Sequence, residues 1–139
     1  MYDKLLLAVD RSDAAGRAIA AAREMASLSD SEVWVLHVQE KEVIGRGGGV
    51  FAIEPEAEAQ SIVEHAAQEL DDAGIKTHYE VRDTTYGRAA REIVAAARAH
   101  DADIIVMGSR GRSDLAGLLL GATAHKVIHL SDRPVLVVR

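Results

Sequence analysis

The sequence predicts an α/β fold: a single doubly wound, five-stranded parallel sheet with helices on both faces, Rossmann-like in kind. Three observations carry that prediction. Short apolar runs alternate with longer alanine-rich runs of helical period along all 139 residues. The first run, Leu5-Leu6-Leu7-Ala8-Val9-Asp10, is continuously apolar and ends in an acid, as a strand buried on both faces should. A glycine-bearing phrase follows the fourth apolar run and precedes a helical one.

The elements follow in order. Leu5–Asp10 is the first strand. Ser12 or Asp13 can cap a helix running to about Leu28. Glu32–Gln39 is the second strand. Residues 41–55, with Gly45, Gly47, Gly48 and Gly49, read as a flexible surface loop. Glu56–Ala73 repeats apolar residues at helical spacing and stops at Gly74. Lys76–Arg82 is a third strand whose polarity puts it near an edge. Gly87 opens a helix through about His100, Asp103–Met107 is the fourth strand, Leu115–Leu130 the fourth helix and Pro134–Arg139 the fifth strand. No repeat or internal boundary interrupts this pattern, so 1–139 reads as one domain, with strand order 3-2-1-4-5.

Composition narrows the function. Hydrophobic content of 48% with 27% charged residues is that of an ordinary globular protein. The absence of cysteine excludes thiol chemistry and disulfides. No apolar run approaches a membrane span, and the first strand begins too early to follow a signal peptide, so a cytoplasmic location is expected. A net charge of −6 argues against a nucleic-acid binder. That charge is uneven. From Glu40 to Ala73 nine acids face two bases, a balance of −7, whereas from Gly108 to the end five bases face two acids, a balance of +3.

The basic end holds the phrase that points to a ligand: Gly108-Ser109-Arg110-Gly111, nine residues, then Gly121-Ala122-Thr123. Glycine-rich chain between a strand and a helix lets backbone N–H groups approach an anion, and the helix start adds unpaired donors. In the order 3-2-1-4-5 the first and fourth strands meet at the topological switch point, where such sheets bind ligands. Asp10 would then stand across one crevice from Met107-Gly108, able to accept from a ribose hydroxyl. Taken singly, Asp10 is equally a turn or cap residue, Gly108 and Gly111 plain turn glycines, and Gly121 a packing glycine. Arg110 and Arg112 join the candidate site on charge and placement.

The pattern G-x-x-G-x9-G, preceded by Ile104-Ile105-Val106-Met107 and followed by Arg133-Pro134-Val135-Leu136-Val137-Val138, resembles the universal stress protein family over the whole chain. Leu7-Ala8-Val9-Asp10-Arg11-Ser12, Leu36-His37-Val38 and Gly87-x-x-Ala90-x-x-Ile93 are similar to further family segments. The resemblance implies an ATP-binding crevice. Ala8, Val9 and Asp10 would flank adenine and ribose, the Val38 backbone would face the base, and Met107 would pack on it. Gly108, Gly111 and the Gly121 turn would line the phosphates, with Mg2+ as a companion ion. It further implies a homodimer paired through the edge strand Val135–Val138, which an apolar edge would favour in any case. One departure stands out: the residue after the last glycine, usually Ser or Thr, is Ala122, with Thr123 next. Losing a hydroxyl contact to a charged group costs on the order of 1.5–3 kcal/mol.

The reading is therefore an adenine-nucleotide-binding stress-response protein acting as a ligand-dependent switch or interaction module. The alternatives are a dimeric interaction protein with a vestigial crevice, or a slow ATPase. No P-loop and no phosphoryl-transfer or hydrolytic set of residues is present, so no catalytic residue is assigned. His125-x-x-x-His129 has the spacing of a helical metal pair but lacks the zincin glutamate and a third ligand, so no metal site is expected from sequence.

Overall fold

The computed structural model describes residues 2–43, 50–52, 56–109 and 120–139, with 43 and 50–52 as backbone only. The elements are β1 (Lys4–Ala8), α1 (Asp13–Ser29), β2 (Glu32–Val43), β3 (Val50–Ala52), α2 (Glu56–Asp72), β4 (Thr77–Thr85), α3 (Ala89–Ala99), β5 (Ile104–Gly108), α4 (Ala122–Leu130) and β6 (Val135–Val138). Five strands form the expected parallel sheet. β2 pairs with β1 on one side and β4 on the other, β1 pairs with β5, and β5 with β6.

The pleat of β1 sorts the core. Leu5, Leu7 and Val9 face α1 and α2, where they meet Ala18, Ile19 and Ala22 of one helix and Val63, Ala66 and Leu70 of the other. Leu6 and Ala8 face α3 and α4, against Ile93, Val94, Ala97, Ala124 and Val127. Leu5, Leu6 and Leu7 are all fully buried, each stabilising the fold by about 1.5–3 kcal/mol. Alanine on the inner helix faces lets the helices settle close to the sheet, which is why a chain with so few aromatics can still fill its interior.

Helix ends follow local chemistry. Ser12 caps α1, its hydroxyl accepting from the Ala15 N–H at 3.3 Å. Asp30 closes α1 in the left-handed region, and Gly74, with φ of 80°, ends the turn after α2. At the amino ends of the strands Glu32 gathers Lys76 at 3.1 Å, His78 at 3.6 Å and Lys4 at 3.9 Å. The hydrogen bond from Lys76 is the main cause holding its carboxyl below the usual value of 4.5.

Two expectations about element bounds need correction. Lys41–Val43, expected within a flexible loop at 41–55, continues β2 and pairs antiparallel with Val50–Ala52, adding a short sixth strand. Lys41 pairs with Ala52 and also with Thr85, so β3 lies on the β1 side of β2, past the end of β1. Val50-Phe51-Ala52 has the β-branched and aromatic character that such a hairpin uses. The remainder of that loop, 44–49 and 53–55, lies outside the described residues. The fourth helix begins at Ala122 rather than near Leu115: Leu120 is in a bend and Gly121, with extended ψ of 161°, is the N-cap. Glycine at 121 disfavours carrying the helix further back, and the expected part of it at 115–119 lies outside the described residues.

Candidate functional site

The carboxyl ends of β1 and β5 lie side by side in the sheet, which makes that end of the sheet the candidate site. Ala8 is in register with Leu36 of β2 and Met107 of β5, so a small residue separates two larger ones on the α3/α4 face. Val38 and Leu120 pack partly against the same cluster. Ala8, Met107 and Val38 thus share one face at one end of the sheet.

Beyond Ala8 the chain turns toward α1. The Val9 N–H donates to Leu36 O at 2.9 Å. Its carbonyl accepts from His37 Nδ1 at 2.8 Å, which puts the imidazole proton on Nδ1. The Val9 side chain, however, is in the α1/α2 core. Strand alternation makes this unavoidable: neighbours Ala8 and Val9 cannot both present side chains to the same face. Val9 therefore brings backbone to the crevice and no side chain.

Asp10 is half-buried and engaged. Its Oδ1 accepts from the Ser12 N–H at 2.8 Å and from the Ser12 hydroxyl at 2.5 Å. The turn reading of Asp10 is thus realised. Asp10 orients Ser12, and Ser12 caps α1, which fixes the carboxylate in the turn between β1 and α1. The neighbouring Arg11 forms an ion pair with Glu58 in the first turn of α2, tying the β1–α1 turn to the next helix.

Across the crevice, Gly108 earns its place by contact rather than by a turn. It lies within β5 and is not among the positive-φ glycines. A Cβ built there would lie 2.8 Å from the Cβ of Ala14 and 3.0 Å from its carbonyl carbon. The absent side chain lets the first turn of α1 press against the end of β5. The next residue, Ser109, is buried and ties three elements. Its N–H donates to Val138 O at 2.7 Å, and its carbonyl accepts from the Gly121 N–H at 2.5 Å. The start of α4 is thereby held at the end of β5. The first helical bond of α4 runs from the His125 N–H to Gly121 O at 3.0 Å, so the N–H groups of Ala122, Thr123 and Ala124 have no acceptor within the helix itself. Ala122 is exposed and Thr123 half-buried. Arg110, Gly111 and Arg112, also expected at the site, lie outside the described residues.

Sequence reasoning passed over Ser109, although it lies inside the glycine phrase. It also missed Glu40, whose carboxylate accepts the Gly87 N–H and joins the end of β2 to the entry of α3. An acid directly after an apolar strand run was the available signal in that case.

Comparison with known proteins places this geometry. The model of the Universal stress protein family matches residues 1–139. The chain belongs to the universal stress protein family. It is 33% identical over 153 aligned residues to universal stress protein YxiE of Bacillus subtilis, with all of both chains covered. It is 35% identical over 159 aligned residues to universal stress protein MJ0577 of Methanocaldococcus jannaschii, covering 100% of this chain and 96% of the relative. The solved structure of MJ0577 superposes with a TM-score of 0.80 at 30% identity, covering 99% of this chain and 96% of that one. A universal stress protein from Archaeoglobus fulgidus, solved in complex with dAMP, superposes with a TM-score of 0.73 at 26% identity, covering 99% and 98% of the two chains. No helix among the described residues is long and apolar enough to cross a membrane.

Proposed function

We propose that this universal stress protein binds an adenine nucleotide, ATP in the first instance, in the crevice between the carboxyl ends of β1 and β5, and that occupancy changes its shape or its partners. The observation that carries the reading is the clamp between Ser109 and Gly121, which holds the N-terminus of α4 at the carboxyl end of β5, the strand paired with the one that Asp10 follows. Helix N–H groups suit phosphate, and a carboxylate suits ribose hydroxyls. Oδ1 of Asp10 holds Ser12, but a carboxylate offers about four lone-pair positions, so a hydroxyl can still be accepted. A flat base would lie against the end of the sheet where Ala8 and Met107 pair. Thr123 and the basic residues Arg110 and Arg112 would complete the phosphate end, with Mg2+ bridging the phosphates. The dAMP complex of the Archaeoglobus fulgidus relative supports the ligand class.

Calorimetry with ATP tests the reading. Saturable binding that is lost in Gly121→Val supports it. No binding at millimolar ATP in the unaltered protein refutes it, leaving a dimeric interaction protein whose crevice is vestigial. Phosphate release is the accompanying control: hydrolysis absent from Gly121→Val would add a slow ATPase activity. The dimer rests on a separate observation. β6 pairs with β5 on one side, and all four residues from Val135 to Val138 stay partly exposed. An apolar edge strand of this kind pairs readily with a second copy. Sedimentation equilibrium giving a monomer at micromolar concentration would remove that part of the reading.

A further inference from the structure

We propose that α4 carries an open two-histidine site for a divalent transition metal ion of the Cu2+, Ni2+ and Zn2+ class, formed by His125 and His129. Both residues are exposed on a helix of nine residues, four apart, so they stack on one face. Their ring centroids are 4.8 Å apart, with planes at 85°.

That spacing has chemical meaning. An imidazole nitrogen binds such ions at about 2.0–2.1 Å, and two rings meeting at 90–110° around one ion have centroids roughly 4.5–5 Å apart. The observed centroid separation of 4.8 Å falls within that range. The helix supplies it without a loop having to order, because His125 is anchored through its N–H to Gly121 O.

Availability distinguishes this pair from the chain's other histidines. His37 is buried and bonded to Val9 O. His78 stacks on Trp34 at 4.3 Å and lies 3.6 Å from Glu32. His100 stacks on the other face of Trp34 at 3.7 Å and meets Glu80 at 2.8 Å. His65 is exposed on α2, without a second histidine at chelating distance. By contrast, His125 and His129 touch each other, and among the described residues neither ring is tied by a hydrogen bond or ion pair. No group of three or more candidate ligands occurs among the described residues, so the site is open and water completes the coordination. Neutral imidazole donors without thiolate or carboxylate select this metal class over Mg2+ and Ca2+.

The test is titration of the metal-free full chain with CuCl2 and with ZnCl2, followed by calorimetry and, for copper, electron paramagnetic resonance. One ion per chain is expected, with copper bound more tightly than zinc and nitrogen hyperfine structure from two imidazoles. His125→Gln and His129→Gln should each lower copper affinity at least tenfold, whereas His65→Gln should leave it unchanged. Circular dichroism confirms that each variant is folded, which the exposure of these side chains makes a mild requirement. Copper affinity unchanged in His129→Gln, or lost in His65→Gln, would overturn the proposal.

Discussion

Replacing Gly108 with alanine should destabilise the protein through one contact. The added Cβ would meet Ala14 Cβ at 2.8 Å, its carbonyl carbon at 3.0 Å and its carbonyl oxygen at 3.2 Å. Carbon atoms in contact prefer about 3.5–4.0 Å, so the end of β5 and the first turn of α1 must part by up to roughly 1 Å. Two of the three opposing atoms are backbone, and Ala14 itself is buried, so no side-chain rotation relieves the clash. Overpacking of this kind costs about 1–3 kcal/mol. Reduced freedom of the unfolded chain returns about 0.4–1 kcal/mol, which leaves a net loss. At this chain length each kcal/mol shifts Tm by about 3–4 °C, so the middle of these ranges, about 1.3 kcal/mol, corresponds to a fall of roughly 4–5 °C in thermal unfolding followed by circular dichroism. Ala14→Gly removes the nearest of the opposing atoms. Combined with Gly108→Ala it should recover part of the loss, read as a coupling energy in a double-mutant cycle. A Tm for Gly108→Ala within about 1 °C of the parent, or singles that simply add, would refute the close-approach argument.

Three further outcomes are expected. Ala122→Ser restores a hydroxyl at the first helical position of α4 and should tighten ATP binding by roughly tenfold or more, measured by calorimetry. Leu6→Ala, at a fully buried position, should cost about 2–5 kcal/mol in urea unfolding, whereas Leu28→Ala, 87% exposed, should change stability by less than about 0.5 kcal/mol. Because the folded Glu32 carboxyl lies below 4.5, its contribution is present above that pH and is lost as pH falls through the lower folded value. Glu32→Gln should therefore narrow the Tm difference between pH 7 and pH 3, and an unchanged difference would show that the contacts with Lys76, His78 and Lys4 carry no pH-dependent stability.

The architecture was legible because its signals are redundant. Leu5-Leu6-Leu7 can only be buried on both faces, and the Lys76–Arg82 segment announces an edge by its charges, as the pairing of β4 with β2 bears out. The start of α4 was not legible. Leu118-Leu119-Leu120 carries helical apolar content, and the decision falls to a single backbone position, Gly121, held by a bond to Ser109 about a dozen residues back. The hairpin of β2 and β3 was hidden for a related reason: glycines at 45–49 suggest a break but do not say that the chain returns to pair. At the site, the meeting of the ends of the first and fourth parallel strands followed from topology alone. The reason for glycine at 108 did not, since close approach to Ala14 involves residues distant in sequence. Nor could spacing divide the roles of Ala8 and Val9 without strand alternation being applied residue by residue.

The bond between Ser109 and Gly121 gives this chain a place to vary. The two residues bracket the eleven positions 110–120 and fasten the chain on either side of them to the end of β5. Lengthening the bracketed stretch should then cost little, about 0.6 kcal/mol per doubling, and need not disturb β5 or α4. Selection can rewrite those eleven positions while the scaffold beneath them stays the same.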